Sequence, residues 1–294
     1  MKLSVEFPSV SYRWGTDAVL DLARAVEEAG YDEIDFFDHV TMAHPTERRQ
    51  TGPYPPTMPL LEPLVTLGAV AAVTRRVRLG TEVLVLPQRQ PALVAKQVAT
   101  LDVLSGGRVR LGVGVGWQGA EFESLGVPFA ERGRRMDECI ELLRLYWRER
   151  AVTYHGRYYT AEAMAMDPEP VQPGGPPIWL GGSSEAALRR IGRLGDGWLA
   201  GAGERPDSIQ EKLAVIRQAA ETAGRDPAAI GLQVQIGDPR DLDGLAARAV
   251  AFREAGFTWG TVNMTTLYTA GARDVAAQRE ALAQVKERID RETA

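Results

Sequence analysis

The sequence has very little cysteine and no long hydrophobic run. Cys139 is the only cysteine, so no disulfide can form within the chain. No apolar run reaches the ~20 residues that a transmembrane helix needs. The N-terminal segment MKLSVEFPSV has neither a long apolar core nor a small-residue cleavage motif, so we expect no signal peptide. We therefore expect a cytoplasmic protein that does not associate with a membrane.

Clustered positive charge and clustered metal ligands are also missing. The net charge is -5 and there is no basic tract, so we expect no nucleic-acid partner. The three histidines, His39, His44 and His155, form no HxH pair, and no group of carboxylates accompanies them, so we expect no metal site. The absence of a P-loop and of a nucleophile elbow argues against a kinase or a hydrolase.

What the sequence does contain is an alternation of short apolar runs and amphipathic stretches. Between residues 77 and 115, the strand-like runs Val77–Leu86 and Arg108–Val115 flank a helical stretch, Pro91–Leu104. A strand, a helix and a strand in this order form a right-handed parallel unit. Eight such units predict an α/β fold, a (β/α)8 TIM barrel spanning residues 1–294 as a single domain. A doubly wound open sheet is the alternative.

The other predicted elements complete this series. The remaining strands are Leu3–Phe7, Glu33–Phe37, Pro177–Leu180, Gly197–Ala200, Ile230–Ile236 and Thr258–Met264. The remaining helices are Asp17–Ala29, Glu62–Thr74, Arg134–Arg150, Ser184–Arg193, Asp207–Ala223, Leu242–Ala255 and Ala272–Arg291. A loop of about seventeen residues is expected between Trp117 and the helix Arg134–Arg150. A small insertion near residues 151–176 is too rich in proline for a helix, and Tyr154–Tyr159 can form a hairpin.

Candidate functional residues follow the predicted strands, because ligands of barrel enzymes bind at the carboxyl ends of the strands. Asp38 and His39 end the second strand, where one imidazole nitrogen can face a ligand while an acceptor orients the other. A histidine that only hydrogen-bonds a loop is the alternative. Glu82 interrupts the apolar third strand and faces either the centre of the barrel or an arginine of a neighbouring element.

Two glycine-rich segments extend this set. The fourth strand ends in Gly112-Val113-Gly114-Val115-Gly116-Trp117, whose alternate glycines would let a flat ring or a phosphate approach the backbone. Tight packing of neighbouring strands is the other interpretation. Gly181, Gly182 and Ser183 precede a helix, where free amides and hydroxyls can bind a phosphate, although a plain serine N-cap is also possible.

Taken together, these motifs resemble the bacterial luciferase-like monooxygenase superfamily, and most closely its F420-dependent oxidoreductase subgroup. The matching segments are Asp38-His39, LGTEVLVLP at 79–87, PALVAKQVATLDVLSGGR at 91–108, GVGVGW at 112–117, LGVPFAERGRRMDE at 125–138 and PIWLGGSSEAALRR at 177–190. The resemblance implies a luciferase-like (β/α)8 barrel with a flavin or deazaflavin in its central cleft.

The resemblance also implies roles for individual residues. Glu82 and Val83 would form a bulge of the third strand, often with a non-prolyl cis peptide, beneath the cofactor ring. The cofactor phosphate would lie against Gly181, Gly182 and Ser183, and Asp38, Gly116 and Trp117 would complete the cofactor site. Relatives that oxidise sugar phosphates carry a glutamate where this chain has Trp117, and Glu121 follows four residues later. The tryptophan favours an apolar or aromatic substrate instead.

The leading functional hypothesis is hydride transfer between the deazaflavin F420 and a small organic substrate. His39 is the first candidate for the proton donor, with Glu82 and Glu121 as alternates. Arg48, Arg49 and Arg89 lie in loops from which they could bind the acidic tail of F420, and ordinary solvated charges are the alternative interpretation.

Two alternatives remain open. One is an FMN-dependent monooxygenase that uses O2 and flavin reduced by a separate reductase, and the other is a non-catalytic flavin-binding protein. We also expect a homodimer.

Overall fold

Eight parallel strands close into a barrel around a filled interior. The structure, a computed structural model, describes residues 1–15, 17–47, 52, 54–266 and 274–293. The barrel strands are β1 (Lys2–Glu6), β2 (Glu33–Phe36), β3 with its continuation β4 (Arg78–Thr81 and Leu84–Val85), β5 (Val109–Gly114), β8 (Ile178–Gly181), β9 (Gly197–Ala200), β10 (Gly231–Gly237) and β11 (Trp259–Asn263). Because β1 pairs in parallel with both β2 and β11, the sheet has no open edge. The predicted TIM barrel is therefore confirmed, and the open-sheet alternative is wrong.

The helices cover the outside of this barrel. They are α1 (Ala18–Glu28), α2 (Pro63–Val73), α3 (Pro91–Ser105), α4 (Gly119–Ser124), α5 (Arg132–Arg148), α6 (Glu185–Leu194), α7 (Ile209–Thr222), α8 (Leu242–Glu254) and α9 (Val275–Thr293). The start that the sequence predicted for the last helix, Ala272, lies outside the described residues. Within the described part of the chain, none of the helices has the length and apolar character needed to cross a membrane.

Two local predictions need correction. The continuous strand Val77–Leu86 is in fact two short strands, because the chain bulges at Glu82 and Val83 between β3 and β4. The loop expected after Trp117 contains α4, whose Phe122 is fully buried and packs edge-on against Phe129. A helix of less than two turns is too short to produce a periodic pattern in the sequence.

The insertion near residues 151–176 contains the hairpin that the sequence suggested. Its strands, β6 (Val152–His155) and β7 (Thr160–Met164), run antiparallel and pair His155 with Thr160 across the turn. Cys139 of α5 is buried and lies 3.5 Å from the Tyr159 hydroxyl, so the hairpin packs against the outer helix layer. The insertion therefore leaves the barrel strands undisturbed.

A charged cluster fills the interior of the barrel. Arg110 of β5 is buried between the rings of Trp179 and Trp259, with its guanidinium carbon 4.3 and 4.7 Å from their centroids. Its Nε donates to Glu33 at 2.6 Å, and its Nη2 donates to Gln233 at 2.5 Å. The cation–π contacts compensate part of the cost of burying the guanidinium.

Small residues make room for the two tryptophans around this arginine. A Cβ at Gly197 of β9 or at Gly231 of β10 would overlap the indole of Trp179. Glu33 and Asp35 of β2 complete the cluster, and Asp35 lies 3.8 Å from the same guanidinium. Burial raises the pKa of Glu33 well above its usual value, even though Arg110 opposes this effect. The interior therefore depends on one cation to stabilise several buried acids.

We predict that Arg110→Met lowers the free energy of unfolding by about 3–5 kcal/mol, because it leaves buried carboxyl groups without their cation. The loss should be larger at pH 8 than at pH 5, since acid conditions neutralise those carboxyl groups by protonation. Urea denaturation at both pH values measures the effect.

Arg78→Met is the matched control. Arg78 lies 3.4 Å from the same Glu33 carboxylate, but its side chain is 35% exposed. Loss of this longer contact, whose arginine side chain is partly exposed, should cost about 1 kcal/mol, which is less than the loss at Arg110. An equal decrease in the free energy of unfolding of the two variants would show that Arg110 is not the main cation stabilising the buried acids.

Candidate active site

A cleft of about 300 Å³ opens at the carboxyl ends of the barrel strands. Its described lining comprises Glu6, Phe37, Asp38, His39, Tyr54, Glu82, Val83, Val85, Gly114, Val115, Gly116, Trp117, Gly181, Gly182 and Gln235. All of the predicted site residues except Glu121 and Ser183 are in this lining. Residues from six barrel strands and their following loops thus meet in one place, as the barrel geometry requires.

Val83 forms an apolar floor between two strands. The peptide bond between Glu82 and Val83 is cis, as the family resemblance implied. A Cβ at Gly181 would lie 2.9 Å from Val83 Cγ1, and one at Gly114 would overlap Val83 Cγ2. Gly114 of β5 therefore admits Val83, whereas Gly112 makes room for the Thr81 carbonyl of the neighbouring strand. The tight-packing interpretation thus applies to both glycines, although Gly114 also lines the cleft.

Glu82 turns towards the centre of the barrel, which resolves the two orientations left open by the sequence. Its Oε2 accepts hydrogen bonds from Thr261 Oγ1 at 2.8 Å and Gln233 Nε2 at 2.9 Å. Burial and the nearby Asp35 carboxylate raise the pKa of Glu82 to about 8. Glu82 is therefore mainly protonated at neutral pH.

Glu6, at the end of β1, is a buried acid that sequence reasoning missed. It lines the cleft and accepts a hydrogen bond from Gln235 Nε2 at 3.0 Å. Burial, followed by the charges of Glu82 and Asp35, raises the pKa of Glu6 well above its usual value. An acid within the apolar run LSVEF is the same signal that identified Glu82, so the sequence did contain a clue.

Glu121, which lies outside the cleft lining, orients the imidazole of His39. Its Nδ1 lies 2.9 Å from Glu121 Oε2, and both side chains are almost fully buried. Glu121 Oε1 also accepts the backbone N–H of Val40 at 2.6 Å. Burial raises the pKa of Glu121, but the hydrogen bond and charge of His39 and the backbone donors outweigh this, and the net pKa is lowered. An ionised Glu121 favours the proton on Nδ1, which directs Nε2 to a ligand.

Asp38 has a supporting role. Its Oδ1 accepts from Arg89 Nη2 at 2.8 Å, and its Oδ2 accepts the N–H of Val85 at 3.0 Å. The other end of the Arg89 guanidinium, Nη1, lies 3.0 Å from Glu62 Oε1. Arg89 is thus held by two carboxylates, which argues against its binding a cofactor tail, a role that stays a prediction. Arg48 and Arg49, the other predicted cations, lie outside the described residues.

Aromatic rings form one wall of the cleft. The imidazole of His39 and the indole of Trp117 meet nearly edge-to-face, with centroids 5.4 Å apart. The ring centroid of Tyr54 lies 6.2 Å from the ring centroid of Trp117 and 6.2 Å from that of Phe37. Gly116 has φ +72°, and this left-handed turn directs the chain from β5 towards α4. Tyr54 was missed because it lies in a long loop without periodicity.

Ser183 lies at the other end of the cleft and contacts a buried ion pair. Its hydroxyl donates to Glu204 Oε1 at 2.5 Å, and Lys212 Nζ donates to Glu204 Oε2 at 2.5 Å. Ser184 caps α6 by accepting the N–H of Ala187 at 3.3 Å. The plain N-cap interpretation therefore applies to Ser184, while Gly181 and Gly182 face the cleft. Glu204 and Lys212 are distant in sequence and carried no recognisable motif.

The remaining histidines do not join the cleft lining. His155 lies on β6, where its Nε2 is 3.4 Å from the Glu162 carboxylate on the exposed face of the hairpin. Across the part of the chain that the structure describes, no three or more His, Cys, Asp or Glu side chains are grouped so that they could hold a metal ion. The chemistry available here is thus that of one oriented imidazole near two buried carboxyl groups whose pKa values are raised.

The family model for luciferase-like monooxygenases matches residues 7–292. The chain belongs to this family. An uncharacterised protein of Mycobacterium tuberculosis is 41% identical over 214 residues, covering 70% of this chain and 72% of the relative. An F420-dependent glucose-6-phosphate dehydrogenase of Beutenbergia cavernae is 34% identical over 253 residues, covering 84% and 70% of the two chains. The family and its named relatives are enzymes, so the non-catalytic alternative is not supported.

Solved structures confirm the fold. A monooxygenase, RslO1, from Streptomyces bottropensis has a TM-score of 0.79 at 21% identity, with full coverage of both chains. A coenzyme F420-dependent tetrahydromethanopterin reductase from Methanopyrus kandleri has a TM-score of 0.77 at 16% identity, covering 99% of this chain and 98% of that chain. The same barrel therefore occurs in proteins named for both of the chemistries under consideration.

We predict that Glu82 makes the protein less stable as the pH rises. A carboxyl group whose pKa is about 8 when folded binds more protons than the unfolded chain between its ordinary pKa and pH 8. Its favourable contribution is complete at acid pH and is lost as the pH rises to 8. Glu82→Gln keeps an acceptor for Thr261 and removes this dependence.

Urea denaturation of both proteins between pH 5 and pH 8 tests the prediction. Relative to the variant, the wild type should lose stability with a slope approaching about 1.4 kcal/mol per pH unit. Parallel stability curves for the two proteins would contradict a protonated Glu82. The difference between the curves reports the titration of Glu82 together with its electrostatic effect on Glu6.

Proposed function

We propose that this enzyme transfers a hydride between the deazaflavin F420 and a small organic substrate. The observation that carries the proposal is the His39–Glu121 pair, which presents one imidazole nitrogen to a cleft floored by Val83. Reduction of a carbonyl or a conjugated double bond requires one hydride and one proton. When bound, the deazaflavin would supply or accept the hydride. The imidazole is placed to supply or accept the proton.

The residues present fit a flat tricyclic ring with a phosphorylated side chain. Val83 offers an apolar contact in the floor, and Gly116 and Trp117 line the same part of the cleft. Gly181 and Gly182 lead from the cleft to the start of α6, whose first amides can donate to a phosphate. Ser183 borders this end, and its contact with Glu204 holds the loop in place.

In this scheme Glu121 acts through His39. Its carboxylate lies 2.9 Å from Nδ1 and fixes the orientation of the imidazole, which leaves Nε2 free to exchange a proton with a ligand. Glu82 and Glu6 line the cleft, and burial raises the pKa of both carboxyl groups, which disfavours negative charge beneath a bound ring. Asp38 acts at a distance from the reaction by holding Arg89 and the backbone of β4.

One observation favours the second candidate, an FMN-dependent monooxygenase. Arg89, which could have paired with the acidic tail of F420, is instead bound by Asp38 and Glu62. FMN has no such tail and would need no cation there. A monooxygenase would also need O2 and a separate reductase, which stays a prediction for that alternative.

The expected homodimer likewise stays a prediction. Val65 of α2 and Leu93 and Leu104 of α3 are exposed apolar residues on neighbouring outer helices. They offer a surface on which a second copy could pack.

We expect the enzyme to oxidise reduced F420 under strictly anaerobic conditions when a panel of small ketones and conjugated carbonyl compounds is supplied. Hydride transfer consumes no oxygen, so the rate of F420 formation, followed by its visible absorbance, should be the same with and without air. Turnover that requires O2, or that proceeds only with reduced FMN, would contradict the proposal and favour the monooxygenase.

His39→Gln should lower kcat by about 10²–10⁴-fold, because it removes the proton donor from the cleft. Glu121→Gln should also lower kcat, since the orienting charge is lost, while the Kd for F420 stays within about twofold in both variants. Glu123→Gln, an exposed position on the same helix α4, is the control and should match the wild type. Unchanged turnover in His39→Gln would rule out its role as the proton donor.

A further inference from the structure

The charges around the cleft are unusual for an enzyme that would bind an anionic substrate. Among the described residues that line it, none is a lysine or an arginine. The ionisable side chains there are His39, Tyr54 and the three acids Glu6, Asp38 and Glu82. Asp38 is already paired with Arg89. A carboxylate or a phosphate on a substrate would lose water here without gaining a cation, which is costly.

The aromatic wall supplies the opposite kind of contact. Trp117 and Tyr54 are 42% and 38% exposed, although both lie beside a concave site. Their rings are inclined at 53°, and the indole is kept in position by a close approach of the loop at Gly52, where a Cβ would lie 2.7 Å from the indole. Two half-exposed rings at a cleft leave flat apolar faces available for stacking.

A second cavity extends this apolar surface away from the reaction cleft. It has a volume of about 400 Å³ and shares Phe37 with the cleft. Its described lining is mostly apolar and includes Val10, Met58 and Leu60. Arg13 also lines it, and the guanidinium lies over the Tyr12 ring, 5.6 Å from its centroid. The cavity is large enough for the hydrocarbon part of a substrate whose reacting group lies near His39.

From this wall and this charge distribution, we propose that the substrate is an uncharged aromatic carbonyl or conjugated compound that stacks on Trp117 and Tyr54. Its apolar remainder extends past Phe37 into the second cavity. Phosphorylated sugars and carboxylated aromatics should bind weakly, because the described residues of the cleft lining include no lysine or arginine. This inference rests on the proposed function, since it assigns the substrate class of the same cleft.

Three ketones of similar size test the proposal. Acetophenone is aromatic and neutral, 4-acetylbenzoate adds a carboxylate, and cyclohexyl methyl ketone removes the aromatic ring. Binding to the F420-loaded enzyme is measured by isothermal titration calorimetry at pH 7.5. We expect acetophenone to bind at least about tenfold more tightly than 4-acetylbenzoate. It should bind roughly 3–10-fold more tightly than the cyclohexyl ketone.

Variants of the wall show whether the aromatic preference arises there. Trp117→Leu and Tyr54→Leu should each reduce the ratio of the affinity for acetophenone to the affinity for the cyclohexyl ketone. Trp117→Phe should keep most of this ratio. The ratio is internal to each protein, so a moderate loss of cofactor affinity does not disturb it. Equal binding of acetophenone and 4-acetylbenzoate, or an unchanged ratio in Trp117→Leu, would overturn the proposal.

A separate titration distinguishes this failure from failure of the proposed function. If F420 binds and is turned over anaerobically but the carboxylate binds as well as the neutral ketone, only the substrate class is wrong. If F420 does not bind, the proposed function fails, and the three ketones are then compared with the FMN-loaded enzyme. If acetophenone again binds most tightly to the FMN-loaded enzyme, the assignment of a neutral aromatic substrate to Trp117 and Tyr54 is still supported. If it does not, that assignment is overturned.

Discussion

The contact of Arg110 with its buried acids, between two tryptophans, is the interaction on which the barrel interior depends. A closed barrel must fill its centre with side chains, and this one does so largely with polar groups. One guanidinium satisfies Glu33 and Gln233 while Trp179 and Trp259 cover its faces. Such a cluster is costly unless every member is held in place, so it ties together β2, β5, β8, β10 and β11.

The floor of the cleft is a direct extension of this interior. Gln233 bonds both Arg110 and Glu82, so the polar network continues upward to the cis peptide that carries Val83. Burial keeps Glu82 mainly protonated, and Glu6 beside it shares that environment. An apolar floor over acids whose charged forms are disfavoured by burial is a suitable base for an uncharged ring. The oriented imidazole of His39 then provides a polar nitrogen beside this apolar floor.

Much of the fold could be predicted from local patterns, whereas the contacts within the site could not. Eight alternations of apolar runs and helices, each bounded by glycine or proline, were sufficient to predict a barrel. The partner of His39 is 82 residues away on a helix too short to show periodicity, so Glu121 could be named as a candidate but not paired. Likewise, the inward orientation of Glu82 depends on closure of the barrel, and the pairing of Arg89 with Asp38 and Glu62 could not be predicted because these residues are far apart in the chain.

Cofactor choice is the central claim, and a paired titration of the purified apo-protein with F420 and with FMN tests it most directly. Each cofactor is added in its oxidised and its reduced form, and binding is followed by fluorescence, with reduced forms kept under anaerobic conditions. The account predicts that F420 binds at least about tenfold more tightly than FMN, a difference of about 1.4 kcal/mol. Tighter binding of FMN would contradict it and would make the protein a flavin-dependent member of its family.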